Sequence, residues 1–116
     1  MLKAGLFDDF KGAATLLIWG DADGMRLLLN NLDVLSRGRP FALDGPTGHL
    51  DVVRGERSLL SREQSSLRWE CSPETVQLAI GLLDPLLHAV GHQFLAVSGL
   101  ANQIIVSRDE YPADLR

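Results

Sequence analysis

The sequence predicts an α+β fold of two layers, in which a mostly antiparallel sheet of about six strands carries two helices on one face. Two observations support this prediction. Short runs of β-type residues, joined by glycine and proline turns, flank two amphipathic segments with the apolar spacing of helices. The order strand, helix, strand, strand then occurs twice, and short hairpin links favour antiparallel pairing.

The composition is that of one globular domain. The chain has 116 residues, of which 46% are hydrophobic and 22% charged. Its net charge of −4 argues against a nucleic-acid partner, because phosphate binding needs a surplus of Lys and Arg. No apolar run approaches the roughly 20 residues that cross a bilayer, and a single cysteine cannot form an internal disulfide. We therefore expect a soluble cytoplasmic protein with no membrane partner.

The first strand and first helix are the clearest elements. The run Thr15–Trp19 is β-type, and Asp21 after it is a suitable N-cap. The helix ends before Gly38 and Pro40. Its apolar stripe consists of Met25, Leu28, Leu29, Leu32 and Leu35.

A hairpin follows the first helix. Its strands are residues 40–44 and 49–54, and the turn Gly45-Pro46-Thr47-Gly48 joins them. A polar stretch then connects the two halves, and the alternating segment Leu67–Cys71 is the strand that leads into the second helix.

The second helix has Ser72 as its N-cap and Pro73 at its first position. We expect a kink or a restart at Asp84-Pro85, because the proline ring collides with the preceding turn. Gly91 is expected to end the helix. Residues 92–97 and 103–107 are then predicted to form a closing hairpin around Ser98-Gly99.

The two halves resemble an internal repeat. A shift of 51 residues lays Asp21 on Ser72 and the first apolar stripe on the second, Val76, Ala79, Ile80 and Leu83. A shift of 53 lays Gly38–Phe41 on Gly91–Phe94. The predicted single domain, 1–116, divides into an N-terminal segment 1–12, a first βαββ unit 13–57, a connector 58–65, a second βαββ unit 66–111 and a tail 112–116.

The first strand is apolar at every position from Leu16 to Trp19, which is typical of a strand covered on both faces. If the helices cover one face, the second cover is the N-terminal segment with Leu6, Phe7 and Phe10, a second subunit or another partner. The segment around Phe7 and Phe10 is either an extra edge strand or a contact with a partner. This pattern indicates association, including a homodimer.

We find no catalytic or metal-binding pattern. Asp84, His88 and His92 are four residues apart, but the expected helix end at Gly91 separates His92 from the others. Asp21–Gly24 lacks the further ligands of a calcium loop and is better explained as a helix cap. Cys71 shares the apolar side of its strand and is expected to be a buried, inert thiol. We therefore expect no catalytic residue, no metal and no cofactor.

Four arginines form a candidate binding site for an anion or an acidic partner. If the first hairpin turns at Pro46-Thr47, Arg39 lies opposite Arg54, with Arg37 and Arg57 near the same end. Like charges opposed across strands are unfavourable unless acidic neighbours or an anion compensate them. The alternative is a solvated charged end of the hairpin.

Two family resemblances extend these predictions. Residues 91–95 and 102–112 resemble the C-terminal end of small, largely uncharacterised bacterial α+β proteins, some of them immunity proteins of polymorphic toxin systems. This resemblance implies a cytoplasmic protein that acts by binding another protein. The paired units are also similar in outline to the vicinal oxygen chelate family. That family carries a metal-binding Glu in the final strand region, where this sequence reads Gln103–Val106.

The sequence therefore predicts a non-catalytic protein-interaction module, of the immunity type or a homodimer. The alternative is a small-molecule or anion binder, or a metal-assisted enzyme. Its cleft would lie between the two repeats and be lined by Arg39, Arg54, His88 and His92.

Overall fold

The computed structural model describes residues 1–115, which form an α+β fold of two helices and nine strands. The elements are β1 (Leu2–Phe10), β2 (Ala13–Gly20), α1 (Ala22–Ser36), β3 (Phe41–Gly45), β4 (Gly48–Arg54), β5 (Leu59–Glu63), β6 (Ser66–Cys71), α2 (Pro73–His88), β7 (Gly91–Ala96), β8 (Ser98–Gly99) and β9 (Gln103–Arg108). The predicted fold class is confirmed, with more strands than the six expected.

The strands form two mixed sheets. Sheet A has the order β1-β2-β9-β7, and sheet B has the order β3-β4-β6-β5-β8. The two predicted hairpins, β3–β4 and β7–β9, pair antiparallel as expected, and β1–β2 and β5–β6 form two further antiparallel pairs. In the centre of each sheet, however, a strand from one half pairs in parallel with a strand from the other, β2 with β9 and β4 with β6. The expectation of one mostly antiparallel sheet is therefore corrected in two respects: the strands form two sheets, and both are mixed, because each sheet is assembled from both halves of the chain.

Three strands are additional to the six expected: β1, β5 and β8, the last at Ser98–Gly99, where a turn was predicted and a short strand instead pairs in parallel with β5. β1 occupies most of the N-terminal segment 1–12, so the edge-strand alternative for Phe7 and Phe10 is the one observed. β5 lies inside the predicted connector 58–65. β1 and β5 each form a hairpin with the strand that leads into a helix. The repeating unit is therefore ββαββ rather than βαββ.

Both predicted helix caps are present. The Asp21 carboxylate accepts a hydrogen bond of 2.8 Å from the Gly24 amide, and Ser72 Oγ accepts one of 3.2 Å from the Thr75 amide. The hydrogen bond from Gly24, with a second one from the N-terminal ammonium, holds the pKa of Asp21 below its usual 3.8. These caps fix the point at which each helix leaves its sheet.

α2 continues through Pro85 to His88, so of the kink or restart expected at Asp84-Pro85 the restart is wrong. Because proline has no amide hydrogen, the carbonyl of Gly81 lacks its helical hydrogen bond. Leu83 and Leu86 on either side of it are buried and hold the last turn against the core. The helix also ends before the predicted stop at Gly91.

The main core lies between the helices and the inner faces of both sheets. The helices pack against each other, so one helical layer covers two sheets. Trp69 and Cys71 lie in this core, as predicted. Its largest fully buried members besides Trp69 are Leu16, Ile18, Met25, Leu28, Leu32, Leu35, Leu50, Leu60 and Leu83.

Strand register relates the two halves by an approximate two-fold repeat. In the first half, Leu43 pairs with Leu50. In the second half, Leu95 pairs with Ile104. Leu50 pairs with a residue of β6, and Ile104 pairs with a residue of β2. These two partner residues are 51 positions apart in the sequence. Leu43 and Leu95 are therefore equivalent, a shift of 52 residues in this strand rather than the 53 expected.

The two sheets also touch along one pair of edges, where β1 lies against β3. The Leu6 amide donates a hydrogen bond of 3.0 Å to Thr47 Oγ1, and a Cβ at Gly45 would overlap the Ala4 carbonyl oxygen. Glycine is therefore required at position 45 for the edges to meet. Neither helix of the described chain is long and apolar enough to span a membrane.

Candidate interaction surface

The outer face of sheet A, which points away from the helices, is apolar. Leu17, Trp19 and Ile105 are at most 1% exposed there, and the half-buried rings of Phe7 and Phe10 pack against them. We name these five residues the apolar face. The prediction that the first strand is covered on both faces is thus confirmed for β2.

The second cover comes from both ends of the same chain. Residues 109–115, which we name the strap, cross the apolar face after β9. Trp19 Nε1 donates a hydrogen bond of 2.8 Å to the Pro112 carbonyl, and the Tyr111 ring meets the Phe10 ring edge-on at 5.5 Å. Leu115 packs on the same cluster. Of the covers proposed from the sequence, the N-terminal segment is right for the two phenylalanines, and the strap was missed.

A polar contact fixes the start of the strap. Glu110 accepts a hydrogen bond from the hydroxyl of Ser107, and its carboxylate lies 3.1 Å from His92 Nδ1. Burial opposes ionisation of Glu110, but the hydrogen bonds from Ser107 and His92 outweigh it, and the charge of Lys11 adds to them. The pKa of Glu110 therefore lies below its usual 4.5. The carboxylate is charged when the strap is seated.

The equivalent surface of sheet B is polar. Strand register makes Arg68 and Glu70 the counterparts of Leu17 and Trp19. Four residues of the apolar face have register counterparts on sheet B: Glu63, Arg68, Glu70 and Asp51 stand in place of Phe7, Leu17, Trp19 and Ile105. The two halves thus share their core pattern and differ on their outer faces.

Sheet B carries a charged cluster that the sequence analysis did not identify. His49 Nδ1 lies 2.8 Å from the Asp44 carboxylate, and Nε2 lies 3.2 Å from Asp51. The hydrogen bond with Asp44, helped by the charge of Asp51, raises the pKa of His49 above its usual 6.5. The signal was available, because Asp44 and His49 close the predicted hairpin as a cross-strand pair.

Two of the four candidate arginines have partners within the chain. Arg54 Nη1 donates a hydrogen bond of 3.0 Å to the Ser36 carbonyl in the last turn of α1, and Arg37 pairs with Asp33 at 2.8 Å. The predicted turn at Pro46-Thr47 is confirmed by the pairing of Gly45 with Gly48. Cations at the end of a helix offset its unpaired carbonyls, so these contacts stabilise the fold.

The other two arginines lie beside separate depressions. Arg39 and Arg37 line a shallow one next to Val34. Arg57 lines a different one, next to Ser58 and Val97. The structure therefore gathers Arg37 and Arg39 and places Arg57 at another depression.

The residues expected to line the alternative cleft are divided between the two halves of the chain, near the C-terminal end of each helix. Arg54 reaches the last turn of α1, while His88 ends α2 and His92, the second residue of β7, contacts Glu110. Within residues 1–115, no group of three or more His, Cys, Asp or Glu side chains is arranged to hold a metal ion. Cys71 is fully buried, and burial raises the pKa of its thiol strongly, so the predicted inert thiol is confirmed.

No protein-family model matches this sequence, and no curated protein matches it at a significant level. The resemblances to immunity proteins and to the vicinal oxygen chelate family stay predictions.

Proposed function

We propose that the protein is a non-catalytic protein-interaction module that binds its partner over the outer side of sheet A. The observation that carries this proposal is the difference between the two equivalent sheet surfaces. One is apolar and aromatic, and the other is charged.

Folding alone does not require an apolar outer face. Sheet B has the same strand arrangement and leaves Arg68 and Glu70 at the positions of Leu17 and Trp19. A sheet packed on one side commonly faces water on the other. The apolar outer face is therefore specific to sheet A, where the strap covers it within the chain, and we propose that partner binding uses this same side of the sheet.

The outer face of sheet A extends beyond the strap. Phe94 pairs with Ile105 and lies on the same side of the sheet, where it is 50% exposed. Its ring meets the His92 ring edge-on at 5.3 Å. Aromatic side chains are enriched at interface centres, so the exposed Phe94 ring on edge strand β7 offers a partner a large apolar contact.

The partner in this proposal is a cognate protein, of the class that the immunity-type resemblance implies, or a second copy of the chain. The alternative function, an anion or small-molecule site at the arginines, has weaker support. Arg37 and Arg54 already contact Asp33 and the Ser36 carbonyl. A metal-assisted reaction also lacks a supporting cluster within residues 1–115.

Affinity capture from the native host with three baits tests this proposal. The baits are the unmodified protein, Phe94→Glu, and the control Leu78→Glu on α2, a leucine that is 56% exposed. Both substitutions place a carboxylate at a half-exposed apolar position, so both variants are expected to fold. We expect a partner that the unmodified protein and Leu78→Glu retain and Phe94→Glu loses. A partner held equally by all three baits, or lost only with Leu78→Glu, would contradict the proposal.

A further inference from the structure

The strap covers deeply buried residues, although the side chains of the strap itself are mostly exposed. Tyr111 and Leu115 are half-buried, and the remaining strap residues are exposed. By contrast, Leu17 and Trp19 below are at most 1% exposed. A segment with few buried contacts opens at low cost relative to the core beneath it. The strap is therefore the weakest cover in the structure over its most apolar outer surface.

We propose that the strap is a displaceable occupant of the apolar face, and that the partner docks there through an extended acidic–aromatic–proline segment of the same chemistry. This inference rests on the proposed function and specifies which part of the partner is recognised. The strap sequence Glu110-Tyr111-Pro112 is the template for that segment.

Hydrogen bonding sets the chemistry of the segment. Removing the strap takes away the acceptor of the Trp19 indole N–H, which is the Pro112 carbonyl. It also removes the Glu110 carboxylate from Ser107, a residue that is fully buried. Buried donors left unpaired are unfavourable, so a replacement must bring both a carbonyl and a carboxylate. A peptide with only apolar side chains could supply a main-chain carbonyl to Trp19 but no carboxylate to Ser107.

Shape and charge make the segment more specific. The Phe10 ring receives the edge of an aromatic ring, as it now receives Tyr111 at 5.5 Å. His92 lies 3.1 Å from the carboxylate, and the charge of Lys11 favours its ionised form. The site thus combines an aromatic surface, an indole donor and a place for one negative charge, which is the chemistry of an extended peptide rather than of a lipid or a nucleic acid.

The covalent link makes the strap a strong competitor. Because it is tethered, its effective concentration at the apolar face is far above that of any free peptide. Asp109, at the start of the strap, has a φ of 58° and donates its amide to the Gly20 carbonyl at 2.8 Å. The chain therefore turns directly after β9, and the strap begins at an anchored residue. A variant that weakens the strap without altering the face should open the site.

The test uses the full-length protein and a fluorescently labelled peptide with the sequence of residues 108–115. Binding is followed by fluorescence anisotropy for the unmodified protein, Tyr111→Ala, Glu110→Gln and the control Leu78→Ala. We expect each strap variant to bind the peptide about tenfold more tightly than the unmodified protein does, because the internal competitor is weakened. Leu78→Ala should match the unmodified protein.

A second peptide, with its tyrosine replaced by alanine and its glutamate by glutamine, tests the recognition chemistry and should bind the variants at least about tenfold more weakly. The inference is overturned if neither strap variant binds the first peptide better than the unmodified protein does, or if both peptides bind equally. That result would leave the proposed function standing if Phe94→Glu still loses a partner. Conversely, peptide binding without any partner sensitive to Phe94→Glu would count against the proposed function alone.

Discussion

At the scale of single residues, two arginines show what the repeat preserves. Arg54 ends β4 and donates to the Ser36 carbonyl, while Arg108 ends β9 and donates to the Leu86 carbonyl, each at 3.0 Å. Both lie at the end of the last long strand of their half and reach the final turns of that half's own helix. Each arginine therefore caps the C-terminal end of a helix. This contact gives Arg54 a stabilising role that does not depend on a ligand.

Arg54→Met and Arg108→Met should therefore both lower the free energy of unfolding. We expect a loss of about 0.5 to 1 kcal/mol for the exposed Arg54 and about 1 to 2 kcal/mol for Arg108. The Arg108 side chain is 17% exposed, so its hydrogen bond competes less with water. Urea denaturation of both variants measures the difference. An Arg54→Met protein as stable as the unmodified one would favour a binding role for that arginine.

His49 should titrate above its usual pKa of 6.5, because the hydrogen bond with Asp44 and the charge of Asp51 favour its protonated form. Its contribution to stability is then fully present below pH 6.5 and is lost as the pH rises through the raised value. Ring resonances followed by NMR over pH 5 to 9 give this pKa, and Asp44→Asn should lower it. A pKa at or below 6.5 in the unmodified protein would show that the cluster is not formed in solution.

Local roles were the most predictable part of the site. The caps at Asp21 and Ser72 and the inert thiol of Cys71 follow from neighbours in sequence, and the structure confirms them. The role of Arg54 was not predictable in the same way, because its acceptor lies 18 residues earlier and depends on how β4 packs beside α1. A signal did exist, since an arginine ends the last long strand of each half.

At the scale of elements, the helices and the hairpins β3–β4 and β7–β9 were predictable; of the three additional strands, β1 was offered only as an alternative, and β5 and β8 were not predicted. β5 follows a polar connector and carries Ser61 and Glu63 on the outer face of sheet B, which hides its apolar alternation. The parallel pairings were also out of reach, because β2 pairs with β9 across almost the whole sequence. Local patterns determine hairpins, whereas the joining of hairpins depends on the complete core.

A substitution at Gly81 tests how much a glycine inside α2 lowers the stability of the protein. Gly81 is an exposed position inside the helix, where an added Cβ would meet no neighbouring atom, and its φ is not in the left-handed region. Gly81→Ala should therefore raise the free energy of unfolding by about 0.5 to 1 kcal/mol, because alanine loses less entropy in a helix. Thermal or urea unfolding measures the gain.

Gly24 in α1 is the matched control for this prediction. A Cβ at Gly24 would overlap the Met1 carbonyl oxygen. Gly24→Ala should therefore destabilise the protein, although both substitutions are made within helices. If Gly24→Ala raised the free energy of unfolding as Gly81→Ala is expected to, the close approach of the N-terminus to α1 would be in error.

At the scale of the whole molecule, the two halves share a core and differ on their outer faces. Phe7 and Phe10 could be identified from the sequence as part of the second cover of β2, and the structure places them there. The strap could not, because residues 109–115 have no periodicity and the Trp19–Pro112 hydrogen bond joins positions 93 residues apart. The N-terminal part of the site could thus be predicted from its two phenylalanines, whereas the C-terminal part, the strap, could not.

The seating of the strap should depend on pH. The pKa of Glu110 lies below its usual 4.5, because the hydrogen bonds from Ser107 and His92 outweigh burial. Its contribution to stability is therefore present above pH 4.5 and is lost as the pH falls through the lower native value. The Trp19 indole N–H resonance reports this loss through its hydrogen bond to Pro112. In Glu110→Gln the resonance should show no such transition; an identical transition in the variant would assign the effect to another group.

The central claim is that the partner binds over the outer side of sheet A, and site-specific photocrosslinking in the native host tests it most directly. A photoreactive phenylalanine analogue is placed at Phe94 on sheet A or at Ala42, which register makes its counterpart on sheet B. Both positions are exposed. The account predicts a crosslinked partner from position 94 and none from position 42. Crosslinking from position 42 alone, or equally from both, would contradict it.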